Sequence, residues 1–123
     1  MDLFLNESFV SHAGINLDFK IDCDALSDGD LETIAKRISR HFIFGKIYGV
    51  PRGGLRLAAA LEQFRSPNCE TTLIVDDVFT TGTSMEDARL TVGMDSVGVV
   101  IWARGNCPSW IHSFNQLAEW AGP

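Results

Sequence analysis

The chain has 123 residues and only three cysteines, Cys23, Cys69 and Cys107, and they form no Cys-x-x-Cys pair. An odd, widely spaced set indicates neither a disulfide framework nor a zinc site. Reduced, partly buried thiols are the expected state. His12, His41 and His112 also lack metal-ligand spacing. No apolar run approaches the ~18 residues of a membrane span. No basic-then-apolar leader opens the chain, so a soluble cytoplasmic protein is expected. Positive charge is scarce, with 10 Lys and Arg against 16 Asp and Glu and a net charge of -6. That argues against a nucleic-acid surface. An anionic small ligand then requires positive groups gathered locally. Repeats, low-complexity tracts and interdomain linkers are all missing. The length suits a single domain, 1–123, burying roughly two thirds of its unfolded surface.

What is present alternates strand and helix patterns. Residues 17–22 alternate apolar and charged side chains, as a half-exposed strand does. Ser27-Asp28-Gly29-Asp30 can cap a helix whose apolar face is Leu31, Ile34, Ala35, Ile38 and Phe42. Lys36, Arg37 and Arg40 lie on its other faces. Residues 46–50 read as the first core strand and 55–64 as a helix, ended by Arg65-Ser66-Pro67-Asn68. Strands at 72–75 and 97–102 flank a helix at 84–92. Pro108-Ser109 introduces an expected last helix carrying Trp110, Ile111, Phe114, Leu117 and Trp120. This order predicts an α/β fold: three layers, a mostly parallel sheet and right-handed crossovers.

The most informative stretch is Leu73-Ile74-Val75-Asp76-Asp77-Val78-Phe79-Thr80-Thr81-Gly82-Thr83-Ser84. An apolar run ends in two acids at the edge where open α/β sheets bind ligands. Adjacent carboxylates need donors or a cation nearby, and vicinal sugar hydroxyls or Mg²⁺ suit them. Gly82 allows a sharp turn and close backbone approach. Its neighbours' amides, their hydroxyls and the next helix N-terminus can hold an anion. No lysine or arginine lies between Asp76 and Ser84, so this is not a Walker-type loop. Either half alone reads as a strand with an acidic turn or a Thr/Ser cap. The joined string resembles the phosphoribosyl pyrophosphate (PRPP) motif of type I phosphoribosyltransferases. The resemblance implies a Rossmann-like core, with Asp76 and Asp77 on the ribose hydroxyls. It puts Thr80, Thr81, Gly82, Thr83 and Ser84 on the 5′-phosphate.

Val50-Pro51-Arg52-Gly53-Gly54 should emerge at the same sheet edge. Arg52 offers a planar donor for phosphate, while Arg56, a turn further on, reads as solvated. Alone, this is a strand-to-helix turn. Beside the first motif it resembles the family's pyrophosphate loop, which often carries a non-proline cis peptide. Arg52, Gly53 and Gly54 would then face the pyrophosphate. Residues 9–22 resemble the hood of orotate phosphoribosyltransferases, with His12-Ala13-Gly14 where those have Lys-Ser-Gly. This divides the chain into a hood-like segment, 1–26, and a core, 27–123. Arg104 stands where that subfamily has an arginine on orotate. Arg104, Trp110 and His12 are the base-site candidates, although Trp102 and Trp110 also suit packing and His12 suits a surface histidine.

The implied reaction is attack of a base nitrogen on C1 of PRPP with loss of pyrophosphate. Asp76, Asp77 and Arg52 are its catalytic candidates. Mg²⁺ would be bound through PRPP rather than by protein side chains, and a homodimer is implied. One family part is missing. Only Arg65-Ser66-Pro67-Asn68-Cys69-Glu70-Thr71 separates the 55–64 helix from the Asp76 strand. There is no room for the long loop that covers PRPP. A non-catalytic module binding PRPP or a nucleoside monophosphate is therefore the alternative to an enzyme. An interaction domain with a merely structural motif is the third reading.

Overall fold

The computed structural model describes residues 23–115. The strand expected at 17–22, His12, Leu117 and Trp120 lie outside them, as does all but the end of the hood-like segment. Helix α1 (Asp28–His41) starts where the sequence places a cap. Ser27 Oγ accepts the Asp30 N–H at 3.0 Å and the Asp30 carboxylate accepts the Ser27 N–H at 3.0 Å, a reciprocal capping box. Ser27→Ala should lower stability by about 1 kcal/mol, read as a drop in the urea midpoint at unchanged slope. Leu31, Ile34, Ala35 and Ile38 form the buried stripe.

Strand β1 (Lys46–Gly49) leads to α2 (Leu55–Leu61), which ends in the 3-10 turn Glu62–Phe64. Then come β2 (Thr72–Phe79), α3 (Thr83–Val92), β3 (Ser96–Ala103) and β4 (Ile111–Ser113). Among the described residues the four strands form an all-parallel open sheet in the order β1-β2-β3-β4. Its side chains alternate between two cores. Leu73, Val75, Val99 and Ile101 face α1 and α2, packing with Ile34, Ile38, Leu57 and Leu61. Ile74 and Val100 face α3, packing with Met85 and Ala88. Helices therefore cover both sides, and the expected three-layer α/β arrangement is present.

Three expectations need correction. The segment expected as a last helix forms β4 over Ile111–Ser113. Trp110 O accepts the Gly98 N–H at 2.8 Å, and Phe114 and Asn115 donate to Val100 and Ile101 at 2.9 and 3.2 Å. The free edge of buried β3 needs these partners, and that demand overrides the local apolar spacing. Secondly, the crossovers cannot all be right-handed. Strands β1, β2 and β3 lie in sequence order, yet α2 covers one face and α3 the other. The two connections therefore have opposite hands. One of the two is therefore left-handed, against the usual preference, and α2 shares its face of the sheet with α1. Thirdly, Arg56 is not merely solvated. It donates to Leu26 O at 2.9 Å and pairs with Asp28 at 3.1 Å, joining α2 to the start of α1.

Cys23 is buried, and Cys69 and Cys107 are half-buried free thiols. No helix among the described residues is long and apolar enough to cross a membrane.

Candidate functional site

The apolar run ends in the acids at Asp76, but β2 continues to Phe79. Strand β1 stops pairing at Val75, whereas β3 pairs on to Ala103 and carries β2 with it. The two carboxylates therefore sit where β1 leaves the sheet. Val50 N–H donates to Val75 O at 2.9 Å, and the chain then turns away through residues 51–54. Asp76 pairs with Val100 and Val78 with Trp102. At this point the backbone bonds partly to its own acids. Asp76 Oδ1 accepts the Asp77 N–H at 2.8 Å, and Asp77 Oδ1 accepts the Val78 N–H at 2.7 Å.

Asp76 is only 8% exposed. Burial pushes its carboxyl up from the ordinary 3.8 to about 7; the Asp77 N–H opposes this, and the Asp77 side chain adds to it by hydrogen bonding and charge repulsion. Asp77 is half-buried. Neither acid makes an ion pair among the described residues.

The loop after β1 closes on this pair. Gly54 N–H donates to Val50 O at 2.7 Å, Leu55 N–H donates to Arg52 O at 3.1 Å, and the Pro51–Arg52 peptide is cis. A Cβ at Gly53 would overlap the Asp77 carboxylate. Only a residue without a side chain lets the two segments approach this closely. Arg52 is exposed beside them.

Across β2, Gly82 takes φ 87° and starts α3 without a side-chain cap. A Cβ there would lie 2.9 Å from the Phe79 ring. Thr81 Oγ1 lies 3.2 Å from Thr83 Oγ1 and accepts the Thr83 N–H at 3.4 Å. Thr80, Thr81, Thr83 and Ser84 are exposed. This loop offers hydroxyls and first-turn amides at the positive end of α3. Gly82→Ala should cost about 1–2 kcal/mol from its left-handed backbone, plus whatever the Phe79 contact adds. Chemical denaturation checks this.

Arg104 reaches the same edge: its N–H donates to Phe79 O at 3.5 Å, and its side chain is exposed. Trp110 is placed differently. It lies beside Gly98, its Nε1–H donates to Glu86 at 2.9 Å, and the Arg89 guanidinium sits 4.5 Å from its ring centroid. It is therefore tied to the flank of α3, at the Gly98 level rather than the Asp76 level. Trp102 is buried, as its packing reading expects. Two contributors were not singled out from sequence. Phe79 shapes the Gly82 turn and anchors Arg104; as an apolar spacer between acids and threonines it was a readable signal. Asn115 accepts the Ala103 N–H at 2.9 Å and also bonds Ser113 Oγ, holding the end of β3 beside Arg104. Nothing in its local sequence marks that role.

Residues 65–71 lie at the opposite, N-terminal edge of the sheet. Ser66 N–H donates to Phe44 O at 2.8 Å, Gly45 N–H to Thr71 O at 3.0 Å and Arg65 Nε to Gly45 O at 2.9 Å. Among the described residues, no group of three or more His, Cys, Asp or Glu could hold a metal ion. No protein-family model matches the chain, and no curated protein matches its sequence.

Proposed function

We propose that this chain binds PRPP through a type I phosphoribosyltransferase-like core and transfers its ribose 5-phosphate to a nitrogenous base. Arg104, exposed at the same edge, makes an orotate-like base one candidate acceptor. The observation that carries this reading is the approach of Gly53 to the Asp77 carboxylate. That approach of the 51–54 loop to Asp77 supports reading the loop and the acids as one ligand site. The Gly82 loop adjoins the end of the same strand.

In this reading Asp76 and Asp77 accept hydrogen bonds from the ribose 2- and 3-hydroxyls. The amides and hydroxyls of residues 80–84 hold the 5′-phosphate, and Arg52 donates to the pyrophosphate. The C1–oxygen bond to pyrophosphate breaks as the base nitrogen attacks C1. Positive charge grows on the ribose near the acid pair, and negative charge grows near Arg52. The donor set fits Mg²⁺ carried by the ligand: two carboxylates have no cationic partner among the described residues, and too few ligands converge to hold a metal alone. When bound, Mg²⁺ would neutralise charge on the departing pyrophosphate.

One observation favours a second reading, a module that binds PRPP or a nucleoside monophosphate without turnover. The segment standing in place of the family's covering loop is pinned at the far sheet edge. Among the described residues nothing from that segment reaches C1 to exclude water. Pyrophosphate release from PRPP, Mg²⁺ and orotate or another nucleobase separates the two. The transferase reading expects slow, base-dependent release that Asp76→Asn/Asp77→Asn abolishes. Release no greater than that of the double variant, with PRPP bound, leaves the module.

A further inference from the structure

We infer that a ribose-phosphate ligand expels a proton from the Asp76–Asp77 pair as it binds, so that occupancy of this site is coupled to pH. The inference rests on the ribose-phosphate reading above and adds a protonation state to it.

The geometry supplies the reason. Asp76 is nearly enclosed, and Oδ1 already accepts the Asp77 N–H at 2.8 Å. The Asp77 carboxylate, on the next residue, is held by the Val78 N–H and by the closeness of Gly53, and it adds hydrogen bonding and charge repulsion to the burial of Asp76. Two acids side by side, one of them enclosed, cannot both carry charge cheaply. The charged and titratable groups on the surrounding elements do not relieve this. Tyr48 of β1 packs on the α3-side core. Arg52 on the β1–α2 loop and Arg104 after β3 are exposed and make no ion pair among the described residues. On α3, Asp87 is exposed, while Glu86 and Arg89 are engaged with Trp110. Cys107 packs against the same core as a neutral thiol. Among the described residues burial and Asp77 set the Asp76 charge, so the pair keeps a proton below about pH 7.

A bound ribose changes that balance. Its hydroxyls donate to the carboxylates, and a cation carried on the pyrophosphate lowers the cost of the second charge. The Asp76 O–H bond breaks, the proton goes to buffer, and the carboxylate oxygen takes a hydrogen bond from the sugar instead. Below neutrality, affinity should therefore rise roughly tenfold per pH unit from this group.

The test is a carboxyl ¹³C NMR titration of aspartate-labelled full-length protein, alone and saturated with PRPP and Mg²⁺. The Asp76 signal is identified by its loss in Asp76→Asn. An Asp76→Glu sample, whose labelled aspartates also lack that signal, serves if Asn disturbs the fold. In the free protein one aspartate should titrate near 7. In the complex that aspartate should stay ionised down to about pH 5. An unchanged midpoint in a complex shown to be saturated by amide shifts overturns the proton release and leaves the binding reading standing. So does a free protein with every aspartate titrating below about 5. No amide shift with PRPP at any pH overturns both.

Discussion

Gly53→Ala is expected to cut PRPP affinity by at least ~30-fold, about 2 kcal/mol, while the protein stays folded. A methyl at residue 53 would occupy the space of the Asp77 carboxylate. Two responses are open. The loop can lift, which moves Arg52 away from the acids. Alternatively, Asp77 can swing aside and release the Val78 N–H it accepts at 2.7 Å. Either response separates the two halves of the site. Gly53 is exposed and lies outside both hydrophobic cores, so global stability should fall by no more than about 1 kcal/mol. Gly29→Ala is the matched control. Its nearest neighbour would be Ser27 Oγ at 3.7 Å, an ordinary contact. It lies in α1, where alanine favours the helix, so ligand binding should not change. Wild-type affinity in Gly53→Ala would show that the two loops do not act as one site.

Asp76→Asn should make the protein more stable at pH 8 and not at pH 4. The unfolded carboxyl titrates near 3.8, the folded one near 7. Between those values the folded state keeps a proton that the unfolded state has lost. Wild-type stability therefore falls as pH rises through that window, and the full penalty is present above about 7. Asparagine carries no charge at any pH, and its side-chain oxygen can still accept the Asp77 N–H. The gain above neutrality should be roughly 2–4 kcal/mol, shrinking toward zero near pH 4. Urea denaturation of both proteins across pH checks this. Parallel pH profiles would mean that Asp76 is ionised without penalty. The same substitution should weaken PRPP binding, because an amide nitrogen replaces an acceptor. A residue that costs stability and serves a ligand is what a binding site predicts.

Much of the site could be read from the residue order alone. The acids lie in the last half of a strand and Gly82 and the Arg52-Gly53-Gly54 turn follow strands, so parallel topology sends them to one edge. The α1 face was legible because Leu31, Ile34, Ala35 and Ile38 repeat at helical spacing. The misread parts depend on neighbours distant in sequence. Residues 110–114 carry spacing compatible with a helix, but the buried edge of β3 needs partners, and so Ile111–Ser113 pairs there. Strand β2 outruns its apolar stretch because β3 extends to Ala103. The side of the sheet that α2 covers, shared with α1, is encoded by no local pattern. The Gly53–Asp77 approach joins residues far apart in sequence, and only the fold brings them together.

The most direct test of the central claim is a calorimetric titration of the folded protein with PRPP and Mg²⁺. One PRPP per chain should bind, with a Kd below about 100 µM. Binding should be at least tenfold weaker in Asp76→Asn/Asp77→Asn. Absence of binding heat, together with an unshifted thermal midpoint at millimolar PRPP, would contradict that claim.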